Sequence, residues 1–334
     1  MMKLEHSALD QDAAALLRRA KEAGYPPFEA LTPLQARKAY AASWDIMQTP
    51  GGDVASVRDL QIQADAPLNL RIYRGAATNE QQVLPCMLFI HGGGWVIGNL
   101  DSHDRMCRQL ANMAGICVVA VDYRLAPEHP FPAGLQDAAA AFNWLAANAS
   151  ELKIDPLALA LGGDSAGGNL AAVLALMSRD GDLPSVCFQA LLYPVTDLTC
   201  SQPSYARVTS GVPLTAATMH YFIQHYTPNA ADRNHWQASP LLAASLAGVA
   251  PALVFTVKHD PLCDEGRAYA KSLDEAGVCV TEIHCNDQMH GVLSQGRLIP
   301  MANVLTQQVF SLVGQTLHQI QRRSSETPVP PNAR

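Results

Sequence analysis

The sequence predicts an α/β fold built on a mostly parallel sheet of about eight strands, with helices on both faces. Three observations carry this. From residue 85 onward, short apolar runs alternate with helical segments, the signature of a parallel sheet joined by helical crossovers. Most of those runs are apolar at successive positions, as strands buried on both faces are. The chain is 334 residues long, 49% hydrophobic and only 16% charged, which suits a large core and excludes a disordered chain. Length alone suggests about two domains, but α/β folds run past roughly 250 residues as one.

Residues 10–23 carry Ala13, Leu16, Leu17 and Ala20 at helical spacing, and Gly24 with Pro26-Pro27 ends the run. A second helix is expected over 33–47, with Thr32 as N-cap and Pro33 at the first helical position. The period then changes. VRDLQI (57–62) and LNLRIY (68–73) alternate apolar and polar about a turn at Asp65-Ala66-Pro67, which predicts a hairpin with one wet face. Six apolar runs follow, at 85–90, 116–121, 157–162, 186–193, 252–257 and 278–284. Helical segments fall at 102–114, 133–149, 168–179, 264–276 and 301–323. A long interruption at 197–245, rich in Ser, Thr, Pro and Tyr, holds a helix at 215–226 and reads as functional or as a small subdomain. The stretch 324–334 reads as a frayed tail.

Charge and pattern exclude several partners. The net charge is -7 and no dense Lys/Arg cluster exists; Arg18-Arg19-Lys21 and Arg322-Arg323 read as solvated helix faces, so nucleic acid is not expected. No apolar run follows the early Lys, so no secretory signal is expected. The most apolar stretch, 157–177, is interrupted by Asp164, Ser165, Asn169 and glycines, so no membrane span is expected and the cytoplasm is the default location. The eight cysteines are widely spaced with no CxxC, which predicts buried thiols rather than disulfides. Cys279 and Cys285 fall on one strand, too far apart to bond.

The sharpest chemical signal is Gly163-Asp164-Ser165-Ala166-Gly167, a G-x-S-x-G between a buried strand and a helix. A tight strand-to-helix turn projects the serine hydroxyl above the sheet, and the flanking glycines let neighbouring backbone pass close by. The helix N-terminus offers free N–H groups to any negative charge formed there. No Lys-Ser/Thr follows the glycines, so a phosphate loop fits worse. The second signal is His91-Gly92-Gly93-Gly94-Trp95, directly after a strand, where exposed backbone N–H groups suit an oxyanion.

A serine nucleophile needs a base and an orienting acid, in the chain order Ser, Asp/Glu, His for this type of sheet. Asp260 lies just past strand 252–257 and His290 in the loop after strand 278–284, on adjacent crossovers. Asp264 and Glu265 read instead as first-turn helix acids. His259 and His284 sit on or beside strands, and His103 and His129 precede Ser165. His284, Cys285, Asp287 and His290 match no zinc spacing, so no metal is expected.

HGGGWVIGNLDSHD, DYRLAPEHPFPAGLQD, GGDSAGGNLA, LLYPVTD, DPLCDEGRAYA and MHGV together resemble the hormone-sensitive lipase family of α/β-hydrolases, more narrowly its bacterial type IV esterases with the GDSAG motif. The resemblance spans roughly 55–315, and the two N-terminal helices are similar to that family's cap. It implies an α/β-hydrolase domain at 51–323, cap helices within 1–50, a cap insertion at about 197–240 and a tail at 324–334. It also implies Ser165 as nucleophile, His290 as general base and Asp260 as its orienter. Backbone N–H groups of Gly93, Gly94 and Ala166 would form the oxyanion hole, with Gly92 as a substitute and His91 holding the glycine loop. The implied activity is hydrolysis of short- to medium-chain acyl esters, with no cofactor and with a homodimer as the family's habit. Amide, carbamate or lactone hydrolysis uses the same triad. A non-catalytic small-ligand receptor is the remote alternative: the plant gibberellin receptors resemble this family but bind a hormone without hydrolysing it, having lost the catalytic histidine, whereas His290 is present here. Two departures are Cys263, where the family often has Arg, and Val292, where it often has an aromatic residue. Asp122, Arg124 and Glu128 read as structural ion pairs, and Tyr205, Met219, Tyr221 and Phe222 as candidates for the acyl pocket.

Overall fold

The computed structural model describes residues 8–326. Its first two helices are α1 (Gln11–Glu22) and α2 (Pro33–Met47). Asp10 caps α1 by accepting from the N–H groups of Asp12 and Ala13. Thr32 caps α2 in a reciprocal box: its hydroxyl accepts from Gln35 N, and the Gln35 side chain accepts from Thr32 N. Each helix fully buries one residue, Ala13 or Ala36, so both lie on the body as surface layers.

Eight strands follow: β1 (Ser56–Gln63), β2 (Pro67–Arg74), β3 (Leu84–Ile90), β4 (Cys117–Val121), β5 (Ile154–Asp164), β6 (Phe188–Leu192), β7 (Ala252–His259) and β8 (Val280–Met289). They form one sheet in the order β1-β2-β4-β3-β5-β6-β7-β8. The β1–β2 hairpin pairs antiparallel with itself and with β4, and all other neighbours are parallel. The crossovers are α3 (Asp104–Ala114), α4 (Ala133–Ala147), α5 (Ala166–Arg179) and α8 (Cys263–Glu275), with α9 (Pro300–Glu326) closing the chain. Strand β3 shows why these runs are apolar throughout. Cys86, Leu88 and Ile90 face a core made with α4, α5 and α8, while Met87 and Phe89 face one made with α3 and α9.

The interruption between β6 and β7 carries α7 (Ala216–Tyr226), close to the expected helix, and a short α6 (Pro203–Arg207) that the sequence does not announce. A helical cap lies on the sheet, and within it Thr218 of α7 donates to Glu29, just before α2, at 2.8 Å. Among the boundaries that differ from expectation, three have a clear physical reading. Helix α5 starts at Ala166, directly after Ser165, because Gly167 and Gly168 serve close packing rather than a loop. Strand β8 runs on through polar CNDQM to Met289, because an edge strand keeps one face in water. Helix α9 continues through residues 324–326, so the expected tail starts later; 327–334 lie outside the described residues, as do 1–7 of the expected cap. All eight cysteines are free thiols, four of them buried and Cys279 exposed. No described helix is long and apolar enough to cross a membrane.

Candidate active site

The site grows from the end of β5, in the middle of the sheet. Chain crossing there is so close that side chains are excluded. A Cβ on Gly167 would lie 1.9 Å from the Ile90 carbonyl oxygen, and one on Gly163 would lie 2.5 Å from that same atom. Between them Ser165 adopts φ 55°, ψ -118°, a costly conformation for a residue with a side chain. Its backbone is pinned on both sides. Ser165 N–H donates to Leu192 O (2.8 Å), and its carbonyl accepts from Asn169 N (3.0 Å) and Val195 N (3.2 Å). The fully buried Asn169 amide in turn donates to Val195 O (3.1 Å) and Ala238 O (2.8 Å), tying the start of α5 to the cap insertion. Asn169 is absent from the sequence-derived candidates.

Strands β5 to β8 are adjacent and parallel, so the loops at their carboxyl ends converge. They bring Asp260, after β7, and His290, after β8, to Ser165. His290 Nδ1 lies 2.7 Å from Asp260 Oδ2, and His290 Nε2 lies 3.0 Å from Ser165 Oγ. Asp260 is fully buried, and its other oxygen accepts Leu262 N–H at 2.9 Å. A carboxylate only accepts, so Nδ1 carries the imidazole proton and Nε2 is free to accept the serine hydroxyl. The buried Tyr193 ring packs 4.7 Å from the His290 ring. The arrangement can take a proton from Ser165 and hold the resulting imidazolium beside a desolvated carboxylate.

The glycine loop lies against this group. Gly93 and Gly94 adopt φ 111° and 58°. Among the described residues, the N–H groups of Gly93, Gly94 and Ala166 take no acceptor. Gly92 differs from expectation: its N–H donates to Asp164 Oδ1 at 2.9 Å and is not open to a ligand. His91 holds the loop through Nδ1 to Gly92 O (2.8 Å), and its carbonyl accepts the Tyr123 hydroxyl (2.9 Å). Its ring stacks on Tyr123 at 4.3 Å. Burial first, and then the neighbouring His103, push the His91 imidazole down to about 3, so it is neutral.

The remaining candidates separate. Arg124 pairs with buried Asp137, and Glu128 pairs with Arg37 of α2. Asp122 forms no ion pair among the described residues, and burial raises its carboxyl. His284 lies beside Thr256, with Nδ1 2.8 Å from Oγ1, and does not join His290 in a cluster. No three described His, Cys, Asp or Glu side chains group as metal ligands. Asp264 and Glu265 are both first-turn helix acids, as expected; Asp264 pairs with Arg207, whereas Glu265 turns inward. It is fully buried, and its Oε1 accepts the N–H groups of Thr196 (2.7 Å) and Asp197 (3.2 Å). Burial pushes its carboxyl well up. Phe222 lies directly on the glycine loop, where a Cβ on Gly94 would come within 2.2 Å of its ring. Tyr221 meets Phe222 edge-on, whereas Tyr205 and Met219 are buried in the cap.

Known proteins share this architecture. A family profile described as alpha/beta hydrolase fold matches residues 87–294. The chain is 37% identical over 303 residues to an ethyl acetate hydrolase of Pseudomonas putida, covering 89% of this chain and 95% of that protein. It is 40% identical over 238 residues to carboxylesterase NlhH of Mycobacterium tuberculosis, covering 70% and 75%. Among solved structures, an alpha/beta hydrolase from the metagenome of Lake Arreo superposes with a TM-score of 0.88 at 37% identity, over 93% of this chain and 99% of that one. A thermostable esterase from Pseudomonas putida ECU1011 gives the same TM-score at 35% identity, over 93% and 98%.

Proposed function

The chain belongs to the alpha/beta hydrolase fold family, and on that premise we propose that it is a carboxylesterase acting on short- to medium-chain acyl esters through Ser165, His290 and Asp260. The observation that carries this reading is the unbroken hydrogen-bonded line from Asp260 through His290 to Ser165, 2.7 Å and 3.0 Å long. Ser165 Oγ attacks the acyl carbonyl as His290 Nε2 takes its proton. Asp260 stabilises the imidazolium and fixes its tautomer. The N–H groups of Gly93, Gly94 and Ala166 receive the oxyanion; Gly92, already bonded to Asp164, does not take part. His290 then protonates the departing alcohol. Water enters, His290 takes its proton, and the acyl-enzyme is hydrolysed to the acid and free Ser165.

Two features support the acyl class. Phe222 packs on Gly94, and Ser165 is only 7% exposed, which suits small acyl groups rather than emulsified lipid. A 37% identical relative carries the name ethyl acetate hydrolase. The test is hydrolysis of p-nitrophenyl esters from two to sixteen carbons by wild type and Ser165→Ala. A peak at short or medium chains that vanishes in the variant is expected, and Asp260→Asn lowers kcat by about 10⁴-fold. A preference for long chains overturns the substrate class. Folded wild type that cleaves no ester, but cleaves amides or lactones, overturns the ester reading.

A further inference from the structure

One buried titratable group in the site has no part in proton transfer. His103 stands at the start of α3, 3% exposed, with both ring nitrogens engaged. Nδ1 lies 2.8 Å from Ser102 Oγ, and Nε2 lies 3.2 Å from Asp164 Oδ1 and 3.4 Å from Oδ2. Asp164 immediately precedes Ser165, and its Oδ1 also accepts the Gly92 N–H. The packing is tight, since a Cβ on Gly92 would come within 2.4 Å of Asp164 Oδ2. We propose that His103 is a positioning residue for ester hydrolysis: it holds the Asp164 carboxylate, which fixes Gly92 and so aims the N–H groups of Gly93 and Gly94. The inference rests on the hydrolytic role of Ser165 given above.

The polarity of the bonds follows from the chemistry. An ionised carboxylate accepts only, so His103 Nε2 carries a proton and donates to it. Ser102 is itself held: its hydroxyl accepts Asn99 N–H (2.8 Å) and contacts Asn99 O (2.7 Å), while its carbonyl accepts from the Gln48 side chain (2.8 Å). The histidine therefore has a rigid seat. Burial works to raise the Asp164 carboxyl, but the charge and hydrogen bond of His103, together with the Gly92 N–H, outweigh it and leave the group below its ordinary range. Without the His103 donor, a buried carboxylate keeps a single N–H from Gly92 and tends to take up a proton. A protonated carboxyl is a poorer acceptor, and Gly92 loses its anchor one residue before the unpaired donors.

The test separates reach from bulk. His103→Asn keeps a polar atom for Ser102 and falls short of Asp164; His103→Gln places an amide N–H at the former Nε2 position. The expected result with a short p-nitrophenyl ester is a kcat at least about ten-fold lower in H103N, against the roughly 10²–10³ cost of losing an oxyanion donor outright. KM stays within about two-fold, and H103Q recovers kcat to within about three-fold of wild type. A trifluoromethyl ketone, whose adduct carries the oxyanion, loses affinity in H103N in step with kcat. If H103N does not fold, His103→Met, which fills the space without a donor, takes its place with the same expectation. Equal losses in the donor and non-donor variants, unchanged kcat in both, or a change in KM alone overturns the proposal. Ser165→Ala is run alongside: residual hydrolysis there sinks the reading of Ser165, whereas an inactive S165A with unaffected H103N sinks the role of His103 alone.

Discussion

The floor of the site and its roof are held by different forces. The floor is the junction of β3, β5 and α5, where backbone meets backbone across glycines and every residue of α5 from Ala166 to Leu176 is buried. The roof is α2 and α7, held by side chains: Ala36 of α2 and Met219, Phe222, Ile223 and Tyr226 of α7 join the apolar core, and polar and aromatic contacts add to them. Arg37 donates to Val96 O (2.8 Å), to Ala126 O (2.9 Å) and to both oxygens of Glu128. Thr218 of α7 donates to Glu29 beside α2 at 2.8 Å. Tyr226 stacks on Trp95 at 4.3 Å, and Phe222 meets Phe28 at 5.9 Å. Close packing of the floor leaves no tolerance in position, which a reacting geometry requires. Contacts of the roof are made by side chains, so a substitution there alters packing without forcing two backbones apart.

The largest effect that tests this contrast is expected in the floor. Gly167→Ala puts a methyl 1.9 Å from Ile90 O and destabilises the protein by more than about 4 kcal/mol, read from the denaturant midpoint. A loss under about 1 kcal/mol would mean that β3 and α5 can part, and that floor and roof do not differ. Next comes Arg37→Ala, which frees two carbonyls and Glu128 at once. It costs about 1–3 kcal/mol in the same measurement, with a change in acyl-chain preference and kcat on the smallest ester within about three-fold. A collapse of kcat there would show that the roof shapes the reacting atoms. The smallest effect concerns pH. Hydrogen bonding to Arg37 lowers the Glu128 carboxyl from 4.5 to about 2. Because the folded value is depressed, the pair's contribution is complete above about 4.5 and fades as the pH falls through about 2. Both partners are partly exposed, so screening keeps the effect small. The melting temperatures of wild type and Glu128→Gln therefore converge as the pH falls toward 2, and a gap independent of pH would remove the charge from the explanation.

Most of the fold was legible because a parallel sheet writes itself as apolar runs separated by amphipathic ones, and the strands and helices lie within a few residues of their expected places. What escaped has specific causes. Gly167 and Gly168 look like loop residues to any local reading, yet they open α5 because neighbouring backbone occupies the space of a side chain. The polar CNDQM end of β8 carries no strand signal because it lies at the sheet's edge. In the site, chain order and loop position pointed to Ser165, Asp260 and His290, and the structure brings the three within hydrogen-bonding distance. The engaged Gly92 N–H and the link from His103 to Asp164 were not legible, because no motif or chain-order rule ties those residues to one another as it ties Ser165, Asp260 and His290. The first-turn position of Glu265 was legible, but its burial was not. Only the fold reveals that the loop after β6 descends onto it and covers it.

A serine at the start of a helix ordinarily closes one of that helix's open donors with its own oxygen. Ser165 stands at that place in α5 and makes no such bond; its backbone turns the hydroxyl toward His290 instead. Ser165 therefore combines a helix end that its own side chain does not cap with an unfavourable backbone angle. A bound molecule that presents an oxygen to the Ala166 N–H supplies the missing cap. Occupancy and folding stability are then thermodynamically linked, so heating the protein with and without a ligand becomes a way to find what it binds, even for molecules that it never cleaves.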